Sequence, residues 1–147
     1  MDRLLPDWFR PVSSVLVFLQ PCACNLSQRT AESEYYKHVL RQQFLQVGSR
    51  IAQELQWHGH LAELFDPKTG FPIHSRSGSL RLDDVAVVRD CLGYTTIDRQ
   101  GCCVILHPTW GSSIYPSILL SSAEPQVVEP ICHQLMATGN PFNVGVL

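Results

Sequence analysis

The residues that could do chemistry gather in one stretch, DRQGCCVILHPTWG, residues 98–111. Two adjacent cysteines, Cys102 and Cys103, follow Gly101 and open an apolar run that His107, Pro108 and Trp110 close. A thiolate is both a nucleophile and a soft metal ligand, so an accessible cysteine here could serve either chemistry. A Cys–His dyad within the segment is disfavoured. Cys103 and His107 share a strand face, but four residues of extended chain separate them by about 13 Å. Alternation along a strand puts Cys103, Ile105 and His107 on one face and Cys102, Val104 and Leu106 on the other. On this evidence Cys102 reads equally as a packed thiol or as a working one at a strand mouth.

Other candidates are weaker. His58 and His60 flank Gly59 and could share a zinc ion, but no third or fourth ligand accompanies them. The plainer reading is a helix end with solvated histidines. Cys22 and Cys24 sit one residue apart, and no C-x-x-C pair exists among the six cysteines. A chain of 147 residues is long enough to bury a core without cross-links, so the cysteines are expected as free thiols. No glycine-rich phosphate cradle, H-E-x-x-H or G-x-S-x-G motif occurs.

Composition narrows the classes. The net charge is −2 and no basic run exists, which speaks against nucleic acid. The N-terminal run VLVFL is far too short to span a membrane, and MDRLLPDWFRP has the features of neither a signal nor a transit peptide. Charged residues make up only 16%, against about 25% in ordinary domains. Either a partner covers one face, or an uncharged polar surface suffices.

The elements that must position these residues follow from periodicity. A Val- and Leu-rich strand is expected over 12–20, stopped by Pro21. Thr30 or Ser33 caps a helix over 34–57, whose stripe is Tyr36, Leu40, Phe44, Val47, Ile51 and Leu55. HGHLAELFDPKTGF reads as a strand ending in an Asp-Pro turn, and residues 72–81 as an irregular loop. A short helix starts near Leu82 or Asp83 and ends at Gly93. Residues 94–98 lead into a strand over 101–107, and a second strand follows over 113–121. These two are expected to pair with each other, with Pro116 at an edge or bulge. A terminal helix carries Pro125 in its first turn, and Pro130 is expected to kink or split it. The tail NPFNVGVL is expected to order only against a neighbour. The order gives an α+β class with a three- to four-stranded sheet. The domain is expected over 12–138, with a lead-in over 1–11 and a tail over 139–147.

The stretches GHLAELFDPKTGF at 59–71, LGY at 92–94 and above all D-x-x-GCCVILHPTWG resemble the C-terminal domain of the CblD family of cobalamin-trafficking proteins. The resemblance runs over residues 10–137. It implies a nitroreductase-like sandwich, a mostly antiparallel sheet flanked by helices, without flavin. It also implies an adapter rather than an enzyme. Such a domain docks on a CblC-like protein loaded with cobalamin and directs the cofactor to methionine synthase or methylmalonyl-CoA mutase. It holds no cofactor tightly alone and shares cobalamin with its partner. The first cysteine of the pair, Cys102, is then the cobalt ligand; Cys103 is the inward neighbour and the alternative ligand. Gly101, His107, Trp110 and Gly111 shape the loop beside the thiol. The family's long N-terminal extension with its mitochondrial targeting is not seen here. The expectation is a cytoplasmic protein, trimmed or short. The rival from another class is a flavin- or thiol-dependent oxidoreductase of nitroreductase-like fold.

Overall fold

A computed structural model describes residues 3–99, 102–136 and 143–147, with the side chains of Arg99 and Cys102 outside the description. Gly101 also lies outside the described residues. The elements are β1 (Ser14–Pro21), α1 (Ala31–Trp57), β2 (Ala62–Phe65), α2 (Asp84–Leu92), β3 (Thr95–Arg99), β4 (Cys102–Leu106), β5 (Ile114–Ser121), α3 (Pro125–Met136) and β6 (Asn143–Val146). The class is α+β, with three helices and two antiparallel sheets among the described residues.

β1 reads as a continuous apolar run because it is buried on both faces. Leu16 and Phe18 turn to one side and join Phe44, Ile51 and Leu55 of α1 and Val128 and Cys132 of α3. Val17 and Leu19 turn to the other and join Leu5, Val88 of α2 and Ile105 of β4. The main sheet, in the order β2-β5-β1-β6, thus separates two cores.

α1 begins three residues earlier than its stripe predicts, because Thr30 and Ser33 act together. Each side chain accepts from the other's backbone N–H, at 3.0 and 2.9 Å, which closes a capping box. The buried face is Leu40, Phe44, Gly48, Ile51, Ala52 and Leu55; Tyr36 and Val47 lie at its margin. α2 starts at Asp83, which accepts from the Ala86 N–H, and ends at Gly93.

Four expectations need correction. Residues 95–99 form a strand, β3, rather than a lead-in; Thr95, Thr96 and Ile97 are β-branched and suit it. β4 pairs with β3 and not with β5. β5 is already taken on one side by β1 along its whole length and on the other by β2 over Ile118–Ser121. Pro130 does not split α3, which runs from Pro125 to Met136. Asn143–Val146 does not wait for a neighbour: it is β6, paired with β1 from Leu16↔Val146 to Leu19↔Asn143.

Pro116 is where the edge argument holds, although β5 is an interior strand. Successive strand residues turn their backbone groups to alternate sides. The Ser122 N–H donates to the Leu61 carbonyl on the β2 side, so the even-numbered residues of β5 face that side. β2 ends opposite Ile118, and the N–H that Pro116 lacks would have pointed into open space.

Gly48 lies where α1 crosses β2. A Cβ there would stand 2.7 Å from Leu64 Cδ2 and 3.3 Å from Phe44 Cε1. Gly48→Leu is expected to cost about 1–3 kcal/mol by overpacking. Gly48→Ala should be close to neutral, because the gain in helix propensity, about 1 kcal/mol, offsets the displacement of a flexible Leu64 side chain. Urea unfolding midpoints check both.

Candidate functional site

The described part of segment 98–111 holds the last two residues of β3, all of β4 and the turn after it. Asp98 pairs with Cys103, and Arg99 with Cys102. The hairpin is fixed to the domain by Ile105, which is 1% exposed in the core beneath the main sheet. Leu106, on the opposite face, is 41% exposed.

Cys103 does not pack inward; it is exposed. It shares the face of Ile105, but the covering core ends there, and the next inward position opens into a cleft. Cys102 opens the strand, and its side chain lies outside the described residues.

His107 organises the turn. Its backbone exchanges two hydrogen bonds with Gly111, at 2.8 and 2.9 Å. Its Nδ1 accepts from the N–H groups of Thr109 and Trp110, at 3.0 and 3.2 Å. The ring stacks on Trp110 with centroids 4.4 Å apart and meets Tyr94 edge-on at 5.2 Å. Gly111 takes a φ of 57°, a left-handed conformation that closes the turn without Cβ strain. Ser112 Oγ then donates to Asn25 Oδ1 at 2.8 Å, which ties the turn to the loop after β1.

The cleft that Cys103 borders has a volume of about 470 Å³. It occupies the place where β2 would have continued beside β5. Its walls are the loop at Leu26–Arg29, the first half of α1 from Glu34 to Arg41, the turn at Pro67 and Lys68, the start of α2 at Asp84 and Val85, and Ile114–Pro116 of β5. One wall is pinned by a bidentate ion pair from Arg41 to Asp66, with both N–O distances 2.7 Å. The guanidinium holds the Asp66 carboxyl below its ordinary range, helped by the Lys68 N–H. Desolvation in the cleft wall pushes the Asp84 carboxyl up to about 7, with the charge of Asp83 adding to it. Burial raises the Tyr115 phenol, which stays protonated.

The remaining candidates fall elsewhere. His58 is the C-cap of α1 and lies 3.3 Å from Glu54, in no strand with His60. Among the described residues no group of three His, Cys, Asp or Glu side chains could hold a metal ion. Cys22, Cys24, Cys91, Cys103 and Cys132 are free thiols. Burial pushes Cys132 up to about 11, away from reactivity. Among the described residues no helix is long and apolar enough to cross a membrane.

Sequence reasoning missed Glu63, Asp66, Asp84 and Tyr115. Glu63 is 1% exposed; its carboxylate accepts from the N–H groups of Leu64, His74 and Ser75 and so anchors the loop after β2. Asp66 alone carried a signal, the Asp-Pro-x-x-Gly turn.

Two outcomes follow from these contacts. Asp66→Asn should cost about 1–3 kcal/mol at neutral pH, because the half-buried Arg41 guanidinium loses its charged partner. Since the folded value lies below the ordinary 3.8, the difference from wild type should persist above that pH and vanish as pH falls through the folded value, in urea unfolding across acid pH. His107 is held below its ordinary 6.5 by desolvation, so its contribution is complete above that pH and lost as pH falls through the depressed value. His107→Ala should cost about 1–2 kcal/mol near pH 7.5 by leaving two turn amides without their acceptor, and less near pH 5.

No family model matches the chain. The human protein described as "Cobalamin trafficking protein CblD" is 24% identical over 125 residues, which cover 84% of this chain and 42% of the human protein. The mouse protein of the same description is 24% identical over 123 residues, 83% of this chain and 41% of that protein. The chain therefore spans about two-fifths of the length of the curated relatives it matches. A matched span this long necessarily includes residues 98–111. With that segment inside the match, the chain is a distant relative of the cobalamin trafficking protein CblD.

Proposed function

We propose that this chain is a non-catalytic adapter in intracellular cobalamin trafficking. It docks on a cobalamin-loaded CblC-like protein and supplies a cysteine thiolate to the cobalt. Cys102 is the ligand of choice and Cys103 the alternative. The cofactor then passes to methionine synthase or methylmalonyl-CoA mutase, and the encounter takes place in the cytosol. The domain belongs, on this reading, to the flavin-free nitroreductase-like sandwiches.

The observation that carries the reading is the relationship to CblD over 84% of the chain, across the segment that holds the cysteine pair. Three features support it. The pair opens a strand that belongs to a second sheet among the described residues, with Cys103 exposed there. Cobalt in an open axial position accepts a soft thiolate. The exposed Leu106 gives the outer face of the hairpin apolar surface for a partner to cover. His107, Trp110 and Gly111 serve this role by holding the strand's far end in place. The exposure of Cys103 makes it a stronger alternative than strand alternation suggested.

A titration of cobalamin-loaded CblC with this protein tests the reading. The wild type should produce a new visible absorption band, Cys102→Ser should abolish it, and Cys103→Ser should keep it. A spectrum that Cys102→Ser leaves unchanged would sink Cys102 as the ligand. Loss with Cys103→Ser alone would transfer the role to its neighbour.

A further inference from the structure

The main sheet has two edges, β2 and β6, and the chain finishes them differently. On the β2 edge the outward groups of Leu64 are satisfied. Its N–H donates to the Glu63 carboxylate at 2.9 Å, and its C=O accepts from the Ile73 N–H at 3.0 Å. The β6 edge has no such cover. Val15 and Leu147 exchange both backbone hydrogen bonds, at 2.8 and 2.9 Å, so Gly145 and Asn143 also bond toward β1, opposite Val17 and Leu19. Alternation then turns the N–H and C=O groups of Val144 and Val146 away from β1. Among the described residues no group meets them there. Lysine, proline or a bulge ordinarily blunts an edge of this kind, and Asn143–Val146 carries none of them.

We propose that β6 is a self-association edge, which pairs with β6 of a second copy of this chain, antiparallel about a two-fold axis at Gly145. In that register Val144 lies opposite Val146 of the second copy, and each such pair exchanges two hydrogen bonds. Every outward N–H and C=O of both strands is then used. The axis falls at a closely spaced, non-bonded position, where glycine meets glycine and no side chains collide. The valine pairs lie on the side of α1 and α3, apolar against apolar, and no charge is buried. This self-complementarity is what a two-fold interface requires, and it favours a second copy over an unrelated strand. The contact is one short strand, smaller than a permanent interface, so the dimer is weak and reversible. It uses neither cysteine of the pair and stands apart from cobalt ligation.

Analytical ultracentrifugation of the intact chain over rising concentration tests this. The wild type should dimerise with a Kd of about 0.1 mM or tighter. Val144→Pro deletes an outward donor and no bond to β1, so it should fold and dimerise about tenfold more weakly or worse. Gly145→Lys sets like charges against each other at the axis. Within one copy a Cβ there meets only Leu92 Cδ2 among the described residues, at the ordinary contact distance of 3.9 Å. Gly145→Lys and Gly145→Asp should each be monomeric, yet an equimolar mixture of the two should dimerise. Circular dichroism and urea midpoints check that each variant is folded. A wild type that stays monomeric at about ten times that Kd overturns the proposal. It is overturned equally by a dimer that survives Val144→Pro or Gly145→Lys, which would lie on another surface, or by a mixture that stays monomeric. Should Val144→Pro fail to fold, the Gly145 variants decide by the same criteria.

Discussion

Everything in this molecule hangs on β5. It pairs with β1 along its full length of eight residues and with β2 over only four. Its two faces feed separate cores, with Leu119 on the side of α1 and α3 and Ile118 and Leu120 on the side of α2 and the hairpin. The mismatch in strand length is structural in its consequences. Where β2 stops, the chain turns away through Asp66–Gly70, and a sheet that would have been closed is left open. Arg41 reaches from α1 to Asp66 and holds that opening at a fixed width. Pro116 lies on the same unpaired length and leaves no orphaned donor there, as the accounting of backbone groups requires.

The hairpin of β3 and β4 depends on this arrangement without joining it. Among the described residues no ladder binds it to the main sheet. Its hold comes from Ile105 in the lower core and from the His107 turn, whose ring is stacked on Trp110 and whose Nδ1 gathers two amides. Cys102 and Cys103 lie at the other end of β4, where they pair with Arg99 and Asp98 of β3.

How much of this the residues disclosed depends on range. α1 was readable from its stripe, and both capping residues were named, because those contacts lie within one turn. Asp83 and Gly93 bounded α2 for the same reason. The strands of β1 and β5 were also plain, since burial on both faces gives continuous apolar runs. Pairing was not readable. β4 and β5 are close in sequence, yet β5 had no free side to offer, and only the sheet order shows that. β3 was overlooked because TTIDR is short and half polar. The burial of Cys103 was misjudged for a related reason. Alternation assigns a face correctly, but it says nothing about how far the covering core extends along that face. The cleft lay beyond sequence altogether, because its walls come from six separate parts of the chain. The thiol pair itself stood out, and the kinship with CblD agrees with the block that carries it.

The pairing of β6 with β1 has a consequence for how the chain reaches this state. Leu16 meets Val146, so the outer strand of the sheet joins residues separated by almost the whole sequence. Such a contact closes a very long loop, and loop-closure entropy is paid before the contact returns anything. Until β6 docks, β1 keeps Leu16–Leu19 unpaired on that side. An open edge of this kind is a template for another chain. The four-residue strand β6 is therefore the element that closes this edge of β1 to other chains.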